Sequence, residues 1–132
     1  VTEPASTVEA RVRRIVAEAL DRPEEEVRLS DSLIDDLGAE SIDFLDLVFR
    51  LETAFGLKIP EEDLWAGAAD LARADAEGFE RGIARLRGEM PDFRWDRFSA
   101  GVTRSDLPRL ITVQTVVSYL ERLNVRGVAP AP

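Results

Sequence analysis

Residues 41–55 read Ser-Ile-Asp-Phe-Leu-Asp-Leu-Val-Phe-Arg-Leu-Glu-Thr-Ala-Phe, and the spacing of their apolar positions dictates a helix. On a wheel of about 100° per residue, Phe44, Leu47, Val48, Leu51 and Phe55 share one narrow stripe, the pattern of a helix packed on a core. Ile42, Leu45 and Phe49 form a second stripe beside it, while Asp43, Asp46 and Arg50 take the solvent-facing arc. The combined apolar arc is wider than one core face needs. The second stripe is therefore either covered by an additional helix or left for a partner. Gly56 ends the helix as a C-cap residue.

Three further segments follow the same period. Ser6-Thr7-Val8-Glu9 reads as a capping box for a first helix with Val8, Val12, Ile15, Val16 and Ala19 on its inner face, stopped at Pro23. Thr112 caps a last helix whose core face is Val113, Val116, Val117, Leu120 and Leu123. Between them, Phe79, Ile83, Leu86 and Met90 predict one helix over 68–88, weakened by Gly78 and Gly82. The aromatic stretch Phe93, Trp95, Phe98 has no readable period. A polar connection from Pro23 to Glu40 is studded with Val27, Leu29, Leu33, Ile34 and Leu37, which pin it to the core, and Gly38 supplies a positive φ for the turn into the long helix. Leu57-Lys58-Ile59-Pro60 is a short extended stretch before an acidic start at Glu61-Glu62-Asp63. The expected fold class is all-α.

A chain of 132 residues, 45% apolar, suits one domain with one embellishment. It has no cysteine and no histidine, which excludes disulfides, thiolate metal sites, imidazole bases and every Ser-His or Cys-His nucleophile. Asp35 and Asp36 are a carboxylate pair that fits acid-base work or a hard cation, but in an acidic chain they read as solvated loop residues. No signal segment and no membrane-length apolar run is present, so a cytoplasmic protein, not a membrane protein, is expected. The net charge is −9 and unevenly placed: eight acids and eight arginines balance between Trp65 and Arg109, so the rest of the chain holds the whole excess. Such a field excludes nucleic acid as a partner and attracts basic protein surfaces.

Asp36-Leu37-Gly38-Ala39-Glu40-Ser41-Ile42-Asp43 resembles the D-L-G-x-D-S-L-D signature of acyl carrier proteins. The similarity runs from about Glu9 to Asp63, through Phe55-Gly56-Leu57-Lys58-Ile59-Pro60, similar to the family's F-G-x-x-I-P. It resumes at Ile111-Thr112-Val113. Glu40 and Ile42 replace the family's usual aspartate and leucine, keeping charge and bulk. The run Asp43-Phe44-Leu45-Asp46-Leu47-Val48-Phe49, with Trp65 soon after the Ile-Pro pair, is most similar to the specialised carriers of very long acyl chains for lipid A. Related carriers serve polyketide and aryl-polyene pathways.

The resemblance implies an acyl-carrier-like helical bundle with a helical insertion before the last helix. The expected division is a core at 6–64 and 110–126, an insertion at 65–109, and flexible tails at 1–5 and 127–132. It implies that Ser41 is the attachment point of 4'-phosphopantetheine, that the chain is not an enzyme, and that it is a monomer. It presents acyl thioesters to lipid or polyketide biosynthetic enzymes. The implied partners are a phosphopantetheinyl transferase and acyl-processing or acyltransferase enzymes with basic docking surfaces. Glu40, Asp43, Asp46 and Glu52 would steer them, while Ile42, Leu45 and Phe49 dock. Arg50 either narrows the choice of partners or simply pairs with Asp46. The competing reading is an unmodified interaction protein that keeps the carrier fold and binds a partner through the same helix. The apolar side chains of the insertion are too many to leave wet, so they pack on the carrier helices or bind something.

Overall fold

The computed structural model describes residues 7–60 and 66–125; Ser6, Trp65, Glu61-Glu62-Asp63 and both expected tails lie outside them. The described residues form five α-helices: α1 (Thr7–Ala19), α2 (Ser41–Phe55), α3 (Ala66–Arg73), α4 (Ala76–Glu89) and α5 (Val113–Val125). Short 3-10 turns occupy Glu24–Glu26, Trp95–Phe98 and Arg104–Leu110. The fold is all-α, as the apolar periodicity predicts.

Each apolar stripe of the carrier-like region goes where its period sends it. Val12 and Val16 of α1, Leu47 and Leu51 of α2, and Val113 and Val116 of α5 are buried together, with α1 packed against both α2 and α5. Phe44 is the one member of the expected α2 core stripe that stays half-buried. The connection between α1 and α2 is pinned as expected: Val27, Leu33 and Leu37 are buried, and Ser32 forms a single antiparallel bridge with Thr112. Leu33 N–H donates to the Ile111 carbonyl at 3.0 Å and Val113 N–H to the Asp31 carbonyl at 3.1 Å, which fastens this loop to the start of α5. Thr112 Oγ1 accepts the Thr115 N–H at 3.2 Å, the cap expected of it.

The insertion departs from the sequence expectation in two ways. The single helix expected over 68–88 is two. The chain breaks at Ala74, and Asp75 starts α4 anew, its carboxylate accepting the Gly78 N–H at 2.7 Å. Gly82 then allows α3 to lie close against α4, because a Cβ there would sit 2.1 Å from Leu71 Cδ2. The second departure concerns packing. Ile83, Phe93, Phe98, Leu107 and Leu110 form a hydrophobic cluster of their own, joined by Leu71, Phe79, Leu86 and Trp95, instead of spreading over the carrier helices. The aromatic stretch is the centre of this cluster: Phe93 meets Trp95 edge-on at 5.0 Å, and Trp95 Nε1 donates to the Met90 carbonyl at 2.8 Å.

Three arginines of the insertion lie against this same small core. Arg87 lies over the Trp95 ring, Arg104 over Phe79 and Arg109 over Phe98, all within 5 Å of the ring centres. Arg97 and Arg109 pair with two acids from outside the insertion, Asp35 and Asp36, described below.

Candidate functional site

Gly38 has φ 74°, a left-handed backbone that glycine adopts without Cβ strain, and it swings the chain from the pinned loop into α2. Ser41 is the first residue of that helix and is exposed. Glu40 precedes it as N-cap in extended conformation, and its N–H donates to Asp43 Oδ2 at 2.8 Å, the returning half of a capping box. An exposed hydroxyl at this point faces free backbone amides and the positive end of the helix dipole, which favour a phosphate ester on it. At the other end Gly56, φ 66°, closes the helix, its N–H donating to the Glu52 carbonyl at 2.8 Å.

The two fates open to the second stripe of α2 are now distinguished. Ile42, Leu45 and Phe49 are 72%, 62% and 67% exposed, and with Asp46, Val48 and Glu52 they border a shallow depression of about 440 Å³. The described residues of the insertion do not cover them. The acids of this helix are less free. Asp43 is held by the capping box, Asp46 Oδ2 takes Arg50 Nε at 2.9 Å, and Glu52 Oε2 accepts the Ile59 N–H at 2.8 Å. Glu40 remains exposed beside Ser41.

Asp35 and Asp36 require a correction, because neither is a solvated loop residue. Arg97 Nη2 donates to Asp36 Oδ1, and Arg109 Nε reaches both oxygens of Asp35 at 3.0 Å. Asp36 Oδ2 also accepts the Ser32 N–H at 2.7 Å, and Ser32 Oγ donates to the Arg109 carbonyl at 2.6 Å. Burial pushes the Asp36 carboxyl upward, but the Arg97 and Ser32 hydrogen bonds outweigh it and hold it below the usual aspartate value. Nearby Asp31 is pushed the other way by burial and by the charge of Asp36, against the Arg28 N–H that it accepts. Both carboxylates are thus taken by guanidinium groups, and among the described residues no cluster of three or more acids is placed to hold a metal ion. The network ties the insertion to the loop at Asp35 and Asp36, the latter five residues before Ser41.

A groove of about 760 Å³ opens on the other side of Ser41. Ser41, Glu40 and Phe44 line it from the start of α2, Ala68, Ala69 and Ala72 from α3, and Leu107 and Pro108 from the turn before α5. Nothing in the sequence periodicity marks it, because its walls come from segments far apart in the chain.

Residues 10–74 match a family model described as the phosphopantetheine attachment site. The match is to phosphopantetheine carrier domains. Their prosthetic group is 4'-phosphopantetheine, and carrier domains of this kind hold acyl groups for other enzymes without catalysing reactions themselves. They meet phosphopantetheinyl transferases and acyl-processing enzymes. The matched residues run from within α1 through the pinned loop and α2 to the end of α3, so the match reaches into the first helix of the insertion. Among the described residues no helix is long and apolar enough to cross a membrane.

Proposed function

We propose that Ser41 carries the phosphopantetheine arm and that the protein presents acyl groups to biosynthetic enzymes that dock on α2. The observation that carries this reading is the exposed Ser41 hydroxyl at the capped start of α2, inside the matched residues and directly beside an exposed apolar stripe. When attached, the arm supplies a terminal thiol, which this cysteine-free chain lacks. The residues around it have separate tasks. The start of α2 offers amides and dipole to the phosphate, Glu40 keeps a charge in water next to it, and the Glu40–Asp43 capping box holds the serine at the first helical position. Ile42, Leu45 and Phe49 give a partner an apolar landing strip. Glu40, Asp43, Asp46 and Glu52 surround that strip with negative charge suited to a basic enzyme surface.

Lipid or polyketide biosynthesis is the setting that the motifs around Ser41 support, in the cytoplasm where such enzymes and coenzyme A meet. The similarity of 43–49 to carriers of very long chains favours lipid cargo, of the kind used for lipid A. Incubation with coenzyme A and a broad-specificity phosphopantetheinyl transferase, followed by intact-mass measurement, tests the attachment. The unaltered chain should gain one arm, and Ser41→Ala should fold but gain none. Modification of the alanine variant would move the site elsewhere, and no gain in either would favour the unmodified interaction protein.

A further inference from the structure

The ion pairs near Ser41 join acids and arginines from two unlike stretches. Asp35 and Asp36 lie inside the matched residues 10–74, whereas Arg97 and Arg109 lie beyond them, in the insertion. Five residues of chain, from Asp36 to Ser41, span at most about 18 Å, which is inside the Debye length of roughly 30 Å at about 10 mM salt. A basic surface that approaches Ser41 in dilute salt therefore feels the charge of this loop, and the insertion decides what that charge is.

The arginines cancel most of it. Arg97 Nη2 donates to Asp36 Oδ1, while its Nη1 lies 3.8 Å from Asp35 Oδ2. Arg109 Nε reaches Asp35 Oδ1 at 3.0 Å, and its Nη1 meets Asp106 Oδ1 at 3.1 Å. Three carboxylates against two guanidinium groups leave the cluster at −1, where the two loop acids alone would carry −2. Arg97 Nη1 is buried without a hydrogen-bond partner, so towards Asp35 it supplies charge and not a bond. Asp35 and Asp36 keep 15% and 21% of their side-chain surface, so a partner feels them once the counter-charge is gone. On α2 itself, Arg50 covers Asp46 in the same manner.

Resting on the reading of Ser41 as the attachment point, we propose that Arg97 and Arg109 are specificity-determining residues of the carrier, which withhold the loop acids from basic partner enzymes. A partner then takes its orientation from the α2 strip and the acids around it. An enzyme whose basic patch reaches for the loop is disfavoured, because it meets a nearly balanced cluster in place of two charges. Arginine suits this task, since its guanidinium stays charged at every working pH.

The test follows arm transfer from coenzyme A by a broad-specificity phosphopantetheinyl transferase in about 10 mM and about 0.5 M salt, with circular dichroism confirming that each variant is folded. One charge at about 10 Å changes encounter in water by roughly twofold for each charge on the partner. Arg97→Ala should therefore raise kcat/KM by roughly two- to fivefold in dilute salt and leave kcat unchanged, because the charge acts on encounter. Arg97→Gln, which keeps a donor for Asp36 but not the charge, should do the same, and Arg97→Lys should restore the slower encounter. Adding Asp36→Asn to Arg97→Ala returns the local charge to its original balance, and the rate should return with it. All these differences should vanish at high salt. An unchanged or lower kcat/KM in both neutral variants, or a gain that survives high salt or the double substitution, would overturn the proposal and leave the ion pairs as a structural tie alone. Failure of the unaltered chain to gain an arm would instead overturn the carrier reading, and this proposal with it.

Discussion

Removing Arg97 isolates the contact that joins the insertion to the loop before Ser41. Arg97→Ala deletes a charged hydrogen bond to Asp36 between side chains that are 24% and 21% exposed. Hydrogen bonds to charged groups contribute about 1.5–3 kcal/mol when well buried, and partial exposure discounts this to about 1–2 kcal/mol. For a chain of this size that corresponds to a fall in Tm of roughly 3–8 °C, readable by far-UV circular dichroism.

The pH dependence gives the sharper signature. Asp36 is held below the usual aspartate value, so acidification protonates the unfolded chain before the native one. Its contribution to stability is full above the ordinary aspartate value and is lost as pH falls through the folded one. Without Arg97, burial acts on Asp36 with less opposition and its carboxyl rises towards the unfolded value, so this acid-side loss should shrink and the stability gap between the two proteins should narrow as pH falls. A double-mutant cycle with Asp36→Asn should show coupling of the same size as the single loss. Additive effects, or identical acid limbs in both proteins, would refute the assignment of a structural ion pair.

Asp31→Asn removes a carboxylate that burial and Asp36 both disfavour while keeping an oxygen for the Arg28 N–H. It should leave stability equal or higher at pH 7, with the advantage vanishing as Asp31 protonates in acid; a loss at pH 7 counts against this. Gly88→Ala in α4, where a Cβ meets open space, should gain about 0.5–1 kcal/mol by helix propensity, whereas Gly82→Ala should fail to gain because Leu71 stands in the way; equal gains in chemical denaturation would dismiss the tight α3 and α4 packing. Phe49→Ala should change stability by no more than about 0.5 kcal/mol but slow arm transfer, and Arg50→Ala should speed it at low salt by uncovering Asp46; transferase kinetics unaffected by either would remove the docking face from α2.

What was legible in the sequence was whatever repeats along one helix. The core stripes of α1, α2 and α5, the caps at Gly56 and Thr112 and the turn at Gly38 all follow from spacing, because each is decided within a few residues. The break at Ala74 was missed since no glycine or proline marks it. An alanine-rich run continues a helix as readily as it ends one, and only the cap made by Asp75 decides. Arg97 lies 61 positions from Asp36, and Arg109 lies 74 from Asp35, so no local pattern could pair them. The balanced charge of the insertion was the available clue. Four of its eight arginines, Arg87, Arg97, Arg104 and Arg109, prove to have internal work.

The geometry of α2 bears on how one serine could serve both cargo and partner. Successive residues of a helix are turned by about 100°, so Ile42 and Leu45 leave Ser41 on one side while Phe44, three residues on, shares its other side with the groove. The exposed strip and the groove therefore meet at the attachment residue without sharing side chains: Ile42, Leu45 and Phe49 belong to one, Phe44, Ala68 and Leu107 to the other. A partner on the strip therefore reaches the arm at Ser41 without contact with the groove, and mutations of the two surfaces are separable. Phe49→Ala should slow phosphopantetheine transfer, whereas Ala72→Leu should leave it unchanged. A transfer defect in Ala72→Leu as large as that in Phe49→Ala would mean that the two surfaces are coupled.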